Sequence, residues 1–162
     1  MTGSLAIGAV LVNAECFAIR GVRQVDRTDP MAWVMSAPFL EMLGVEAVAV
    51  SPGEVTSRLA VRRQLEQQNG YVHAGVVGTI ADHTAGAAAA TVMAEGMMPL
   101  TVEFKVNLLR PALGTALVCV ARVLKAGRAI TVAESEVFAE DAAGERKLVA
   151  KATVTLALVA RR

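Results

Sequence analysis

The sequence predicts an α+β domain in which an antiparallel β-sheet wraps around one long, buried helix. The stretch that follows the Asn69-Gly70 turn signal has helical spacing up to about Glu95 and is apolar on all sides, which is typical of a buried helix. Four segments with strand character then follow at short intervals, as expected for antiparallel neighbours. On the third of them one face is small, which suits close approach of a helix: Thr131, Ala133 and Ser135.

Length and composition restrict the possible functions. The chain has 162 residues, which fits a single domain at residues 31–162 behind an N-terminal extension of unassigned role at residues 1–30. A formal net charge of +1 gives no electrostatic reason to expect a nucleic-acid partner, and the apolar helix carries too many polar groups for a membrane span. Cys16 and Cys119 fit no disulfide or metal-site spacing, so we expect a cytoplasmic protein without a metal.

The segments before the helix are short. Residues 38–44 read as a helix that proline opens and glycine closes. Two strand candidates, residues 45–50 and 54–61, flank a Ser51-Pro52-Gly53 turn. The polar residues 62–68 then lead into the long helix.

The segments after the helix predict four strands. The first has strictly alternating apolar residues, which predicts a half-buried strand: Leu100, Val102, Phe104, Val106 and Leu108. Residues 115–124, 129–139 and 148–159 are the other three, separated by turn sequences that contain glycine.

Asp82 is the only formal charge between Glu66 and Glu95. A lone carboxylate on a buried helix is costly to desolvate, so it needs a partner, a shifted pKa or a catalytic role. From the residues alone, a structural acid and a functional acid remain equal alternatives.

A motif at the helix start resembles a known family. His73-Ala74-Gly75, with Asp82 seven residues beyond Gly75, resembles the hotdog-fold acyl-CoA thioesterases of the phenylacetic acid degradation type, within the 4-hydroxybenzoyl-CoA thioesterase superfamily. Leu109-Arg110-Pro111 and Lys125-Ala126-Gly127-Arg128 look like that family's strand-end and turn motifs. Ala74 stands where the family usually has glycine.

The resemblance implies hydrolysis of an acyl-CoA thioester to a free acid and CoA, with CoA present only as part of the substrate. It implies that backbone N–H groups of Ala74 and Gly75 stabilise the oxyanion and that Asp82 acts as general base or nucleophile. Thr101 matches a position where relatives place a hydroxyl, and Gln67 stands where many members have an asparagine that positions the carbonyl.

Other candidate residues surround this core of the site. We expect His73 to cap the helix near the substrate rather than to catalyse, and Asn69 to shape the preceding loop and touch the substrate. Arg110, Lys125 and Arg128 are candidates for binding coenzyme A phosphates, since guanidinium and ammonium groups suit phosphate oxygens. The alternative is that these three are ordinary solvent-exposed turn residues, and this alternative is stronger for Lys125 than for Arg128.

The spacing of the motif predicts a homo-oligomer. Asp82 lies eight residues beyond Ala74, which is ~12 Å along a helix, so one carbonyl cannot contact both groups of one chain. Two helices packed antiparallel across a two-fold axis would bring each Asp82 to the other's N-terminus. A dimer is therefore expected, and its pairing into a tetramer stays open.

Two other functions compete with hydrolysis. A hotdog hydratase or dehydratase would use His73 and Asp82, although the His-Phe-Pro-Gly type of loop expected there is missing. A non-catalytic acyl-CoA binding module is favoured if Gln67 and Ala74 mark a damaged site.

Overall fold

The computed structural model describes residues 37–160, so the predicted extension at residues 1–30 lies outside the described part of the chain. The first half contains helix α1 (Pro38–Leu43), strands β1 (Val45–Ser51) and β2 (Glu54–Ala60), a 3-10 helix (Arg63–Leu65) and helix α2 (Ala74–Ala90). The second half contains only strands: β3 (Met97–Leu108), β4 (Ala116–Ala126), β5 (Ile130–Glu140) and β6 (Arg146–Ala160).

The strands form one antiparallel six-stranded sheet in the order β1-β2-β4-β5-β6-β3. Five of them, β2 to β6, lie mainly against α2, and β1 touches it more weakly. The strand that follows α2 in sequence therefore forms the far edge of the sheet. The predicted fold, an antiparallel sheet around one long helix, is confirmed.

Small residues allow α2 to approach the sheet closely. Ile80 and Ala81 on the helix have no exposed surface, and the predicted small face of β5 is buried under them: Thr131, Ala133 and Ser135. Within residues 37–160 neither α2 nor any other helix is long and apolar enough to cross a lipid bilayer.

Helix α2 is shorter than the sequence predicts, because it ends at Ala90 rather than near Glu95. Thr91 is the C-cap, and its side-chain oxygen accepts the Gly53 N–H at 2.7 Å, which ties the helix end to the turn between β1 and β2. The chain then reverses through Gly96, whose φ of 76° is readily adopted only by glycine.

The strict alternation predicted for β3 is wrong at Val102. Thr101 and Glu103 pair with consecutive residues of β6, so Val102 is an extra residue and forms a β-bulge. A bulge reverses the alternation of faces. Thr101 consequently faces α2 together with Phe104, and its hydroxyl reaches Asp82.

The apolar face of β3 is also less covered than a half-buried strand would be. Val102, Phe104 and Leu108 are 38%, 48% and 55% exposed. One edge of β3 bonds to β6, and among residues 37–160 its other edge has no strand partner. An exposed, apolar edge strand of this length is a surface on which another strand can pair.

Candidate active site

A cleft of about 370 Å3 opens at the N-terminus of α2. One wall is the loop before the helix, with Gln67 and Tyr71, and another is the first turns of the helix, with Ala74 and Val77. Residues 108–112, at and after the end of β3, and a valine of β6 close the other side. Most of this lining is apolar, so the cleft can hold an apolar group beside a few polar atoms.

Within residues 37–160, the start of α2 leaves one backbone N–H without an acceptor. His73 is the N-cap, and its Nδ1 accepts the Gly75 N–H at 3.0 Å. The N–H groups of Val76 and Val77 donate to the His73 carbonyl. The capping role expected for His73 is thus observed, whereas Gly75 does not offer the free N–H that the sequence led us to expect. Among the described residues, nothing accepts the N–H of Ala74.

Gln67 adds a second donor to the cleft. Its Oε1 accepts the backbone N–H of Asn69 at 2.6 Å, and only the oxygen of an amide can accept from an N–H. The Nε2 group of Gln67 is therefore left for the cleft, which Gln67 lines together with Ala74. Asn69 contributes a backbone group that orients Gln67, and its side chain is not part of the cleft lining.

Asp82 lies two helical turns beyond Ala74 and is only partly buried. Its Oδ1 accepts a hydrogen bond from the Thr101 hydroxyl at 2.8 Å, so the structure brings together the acid and the hydroxyl that the sequence singled out. Burial raises the pKa of the Asp82 carboxyl above its ordinary value, against the opposing effects of the Thr101 hydrogen bond and the nearby His83. One carboxylate oxygen remains outside the Thr101 bond.

The two halves of the site are separated within one chain. The cleft contains Ala74 and Gln67 but neither Asp82 nor Thr101. All residues from Ala74 to Asp82 are helical, and the two are eight positions apart, which separates the two groups by ~12 Å along the axis. The cleft of one chain therefore offers the two donors without the acid of that chain.

The predicted cationic residues lie near the two ends of helix α2. Arg110 lines the cleft, where one guanidinium nitrogen donates to the Leu148 carbonyl at 2.9 Å. Lys125 and Arg128 lie on or beside the β4–β5 hairpin, near the C-terminus of α2. That position follows because Val123, close to the hairpin, donates its N–H to Gly53, which in turn bonds to the helix C-cap. Both hairpin cations are exposed.

Some cleft residues carry no signal in the sequence. Val149 lies in the middle of an ordinary strand pattern and enters the cleft only because β6 lies beside β3. Leu108 and Ala112 flank the Leu109-Arg110-Pro111 motif, so the resemblance to the family is a signal that could have located them. In the described part of the chain, no three ligating side chains are grouped so that they could hold a metal ion.

Comparison with known proteins identifies the family. Residues 69–145 match the thioesterase superfamily. A thioesterase family protein from Silicibacter pomeroyi has a crystal structure that is 36% identical, covers 83% of this chain and 98% of its own, and superposes with a TM-score of 0.79. This chain belongs to the thioesterase superfamily. Its antiparallel sheet and central helix are the hotdog fold of that superfamily.

Two further proteins place this thioesterase among its relatives. The 1,4-dihydroxy-2-naphthoyl-CoA hydrolase of Listeria monocytogenes is 27% identical over 100 residues, which are 62% of this chain and 81% of that protein. The PaaI protein from the phenylacetic acid degradation operon of E. coli is 19% identical, covers 79% of this chain and 88% of its own, and has a TM-score of 0.69. The second comparison shows the shared fold, and thioester hydrolysis is the activity of the superfamily.

Proposed function

We propose that this thioesterase hydrolyses acyl-CoA thioesters at an active site formed by two copies of the chain. The observation that supports the proposal most strongly is the separation of the two halves of the site. A free N–H and a free amide face one cleft, and the acid with its hydroxyl partner lies two helical turns away.

The donors in the cleft suit the oxyanion of a thioester. Attack on the carbonyl carbon places negative charge on its oxygen, and preorganised N–H groups stabilise that charge. The Ala74 N–H, at the positive end of the helix dipole, and the Gln67 Nε2 group are the two candidates. Gln67 has a longer side chain than asparagine, and its bond to Asn69 compensates by restricting where the amide points.

Asp82 suits the role of general base or nucleophile. The Thr101 hydroxyl occupies Oδ1, which orients the carboxylate and leaves Oδ2 to take a proton from water or to attack the thioester carbon. Burial raises the pKa of the Asp82 carboxyl, which makes Asp82 a better base than an ordinary aspartate.

Two copies related by a two-fold axis would bring these halves together. With the two α2 helices antiparallel, Asp82 of one chain lies beside Ala74 of the other. The unpaired edge of β3, with exposed Val102 and Phe104, provides a surface for the second copy next to Thr101. Pairing there would bury the apolar face of β3 that one chain leaves open.

In such a dimer the cationic side chains would lie along the bound substrate. Arg110 lines the cleft of one chain. Lys125 and Arg128 lie near the C-terminus of α2, and in an antiparallel pair that end of the helix lies on the same side as the cleft of the partner. We assign all three to the phosphates of coenzyme A. The apolar cleft and the naphthoyl-CoA substrate in the name of the Listeria relative favour an aromatic or medium-length acyl group. On the sequence argument the reaction takes place in the cytoplasm.

An acyl-CoA panel with a thiol reagent tests the activity. Release of CoA by the wild-type protein, reduced ~100-fold or more in kcat in Asp82→Asn, is the expected result. A changed acyl chain with CoA retained would show a hydratase instead, and binding without turnover would show a non-catalytic module. Glu95→Gln, which removes an acid beyond the end of α2, is the matched control and should keep wild-type kcat.

A further inference from the structure

A group of hydroxyl and thiol side chains crosses the otherwise apolar space between α2 and the sheet. Its members are Thr84 on α2 and, on the neighbouring strands β2, β4 and β5, Ser57, Cys119 and Ser135; none has exposed surface. We refer to these four residues as the hydroxyl cluster. Buried polar groups are costly unless they are hydrogen-bonded, so the partners of these groups show what the cluster holds.

The hydrogen bonds of the cluster converge on α2. Thr84 donates its only hydroxyl proton to the Ile80 carbonyl at 2.6 Å, so Ser57 is the donor in its 2.5 Å bond to Thr84. Ser135 donates to the Ala81 carbonyl at 2.7 Å. Two consecutive carbonyls of the helix are therefore fixed by side chains, one of them directly from the sheet.

Cys119 lies between the Ser57–Thr84 pair and Ser135. Its thiol contacts Thr84 and Ser135, and burial raises its pKa to about 12. The thiol consequently stays neutral. It connects the Ser57–Thr84 pair to Ser135 without placing a charge in the core.

The helical turn held in this way is the turn that carries Asp82. On its other side, the Asp82 carboxylate accepts the Thr101 hydroxyl of β3. The turn is thus fixed from both sides: Ser135 and the Ser57–Thr84 pair hold its backbone, and Thr101 holds its acid. An alanine at position 135 would match the alanine at position 133 on the same face. The Ala81 carbonyl would keep its helical bond, so Ser135→Ala leaves no helix carbonyl without a partner.

We propose that Ser135, assisted by the Ser57–Thr84 pair, is a positioning residue that sets where the Asp82 carboxylate stands relative to the thioester. The inference rests on the proposed function, because it requires Asp82 to act on the substrate. Loss of the Ser135 bond lets the turn shift and rotates Asp82 away from the reacting carbon. Displacement of a reacting group by a fraction of an ångström to one ångström slows the chemical step without weakening substrate binding.

Ser135→Ala tests the proposal by steady-state kinetics. We expect kcat to fall between about 10- and 100-fold, with KM nearly unchanged. Thr131→Val is the matched control: it removes a hydroxyl from the same buried face of β5, and in the described structure that hydroxyl makes no bond to α2. The control should keep wild-type kcat. Wild-type kcat in Ser135→Ala, or an equal loss in Thr131→Val, would overturn the proposal.

Ser135→Ala made in the Asp82→Asn variant distinguishes a positioning role from general damage to the core. In Asp82→Asn the carboxylate is already lost, so adding Ser135→Ala should leave the residual rate unchanged. A further loss of the same size in the double variant would show that Ser135 acts independently of Asp82 and would refute the positioning role. If Ser135→Ala does not fold, Ser57→Ala interrupts the Ser57–Thr84 pair and is measured with the same expected and refuting results. Full turnover by Asp82→Asn alone would instead refute the proposed function.

Discussion

The proposed shared active site can be tested with two single substitutions. Ala74→Pro removes one backbone N–H and little else, because Ala74 is the first residue of α2, where proline is well tolerated. His73 before it is extended, with φ −61° and ψ 137°, which is the conformation that a following proline requires. Since no described residue accepts the Ala74 N–H, the variant loses no internal hydrogen bond.

The size of each effect follows from the role of the group removed. Loss of one oxyanion donor lowers kcat by about 100- to 1,000-fold. Asp82→Asn lowers it by ~100-fold or more, since the amide neither takes a proton nor attacks the thioester. Each homodimer should therefore be nearly inactive, while Ala74→Gly, which keeps the N–H, should retain activity.

Heterodimers purified with two different affinity tags then show which chain supplies each group. When one chain carries Ala74→Pro and the other Asp82→Asn, a shared site leaves one of two sites intact and restores about half of the wild-type turnover. When both substitutions are on one chain and the other is wild type, each of the two shared sites lacks one group and turnover is nearly zero. A site within one chain reverses the two results, so half activity in the second heterodimer, or an active monomer in sedimentation, would refute the shared site.

Three further predictions test individual residues. Arg128→Ala and Arg110→Ala should raise KM for an acyl-CoA far more than for the matching acyl-pantetheine, and equal effects on both substrates would end the assignment to phosphates. Because burial raises the pKa of Asp82, activity should rise with pH just above the ordinary aspartate range. The free energy of unfolding should fall over the same pH window, because the folded state there binds more protons than the unfolded state. Asp82→Asn should abolish that fall in stability, as urea titrations at several pH values would show. Gly127→Ala should destabilise the fold by about 1–3 kcal/mol, since its Cβ would collide with the Ile130 carbonyl, and an unchanged denaturation midpoint would contradict this.

The fold was predictable because its signals are local and periodic. The apolar sequence of α2 and the alternation in four later segments depend on neighbours three, four or two residues away, which a sequence displays directly. The bulge at Val102 was not predictable in this way, because it depends on how β3 aligns with β6. Its consequence is that Thr101 and Phe104 both face the helix, which brings the Thr101 hydroxyl to Asp82.

The site was predictable only in part for a similar reason. Asp82 stood out as an isolated charge, and its bond to Thr101 was suggested by a resemblance rather than by spacing. Choosing between Ala74 and Gly75 as the candidate oxyanion donor required the geometry of the His73 cap, which uses the Gly75 N–H and leaves that of Ala74. The small face of β5 predicted close packing, but a serine and an alanine are equally small, so the bond from Ser135 to Ala81 could not be read from it.

The bulge in β3 also defines where the length of this chain can change during evolution. Thr101 and Glu103 already pair with adjacent residues of β6. Deleting Val102 alone would therefore give a regular strand in which both keep their partners and their faces. Deleting one residue on either side within the paired segments would shift the register by one and turn Thr101 or Phe104 to the outer face. Position 102 is thus where relatives can lose one residue and keep the hydroxyl beside the acid.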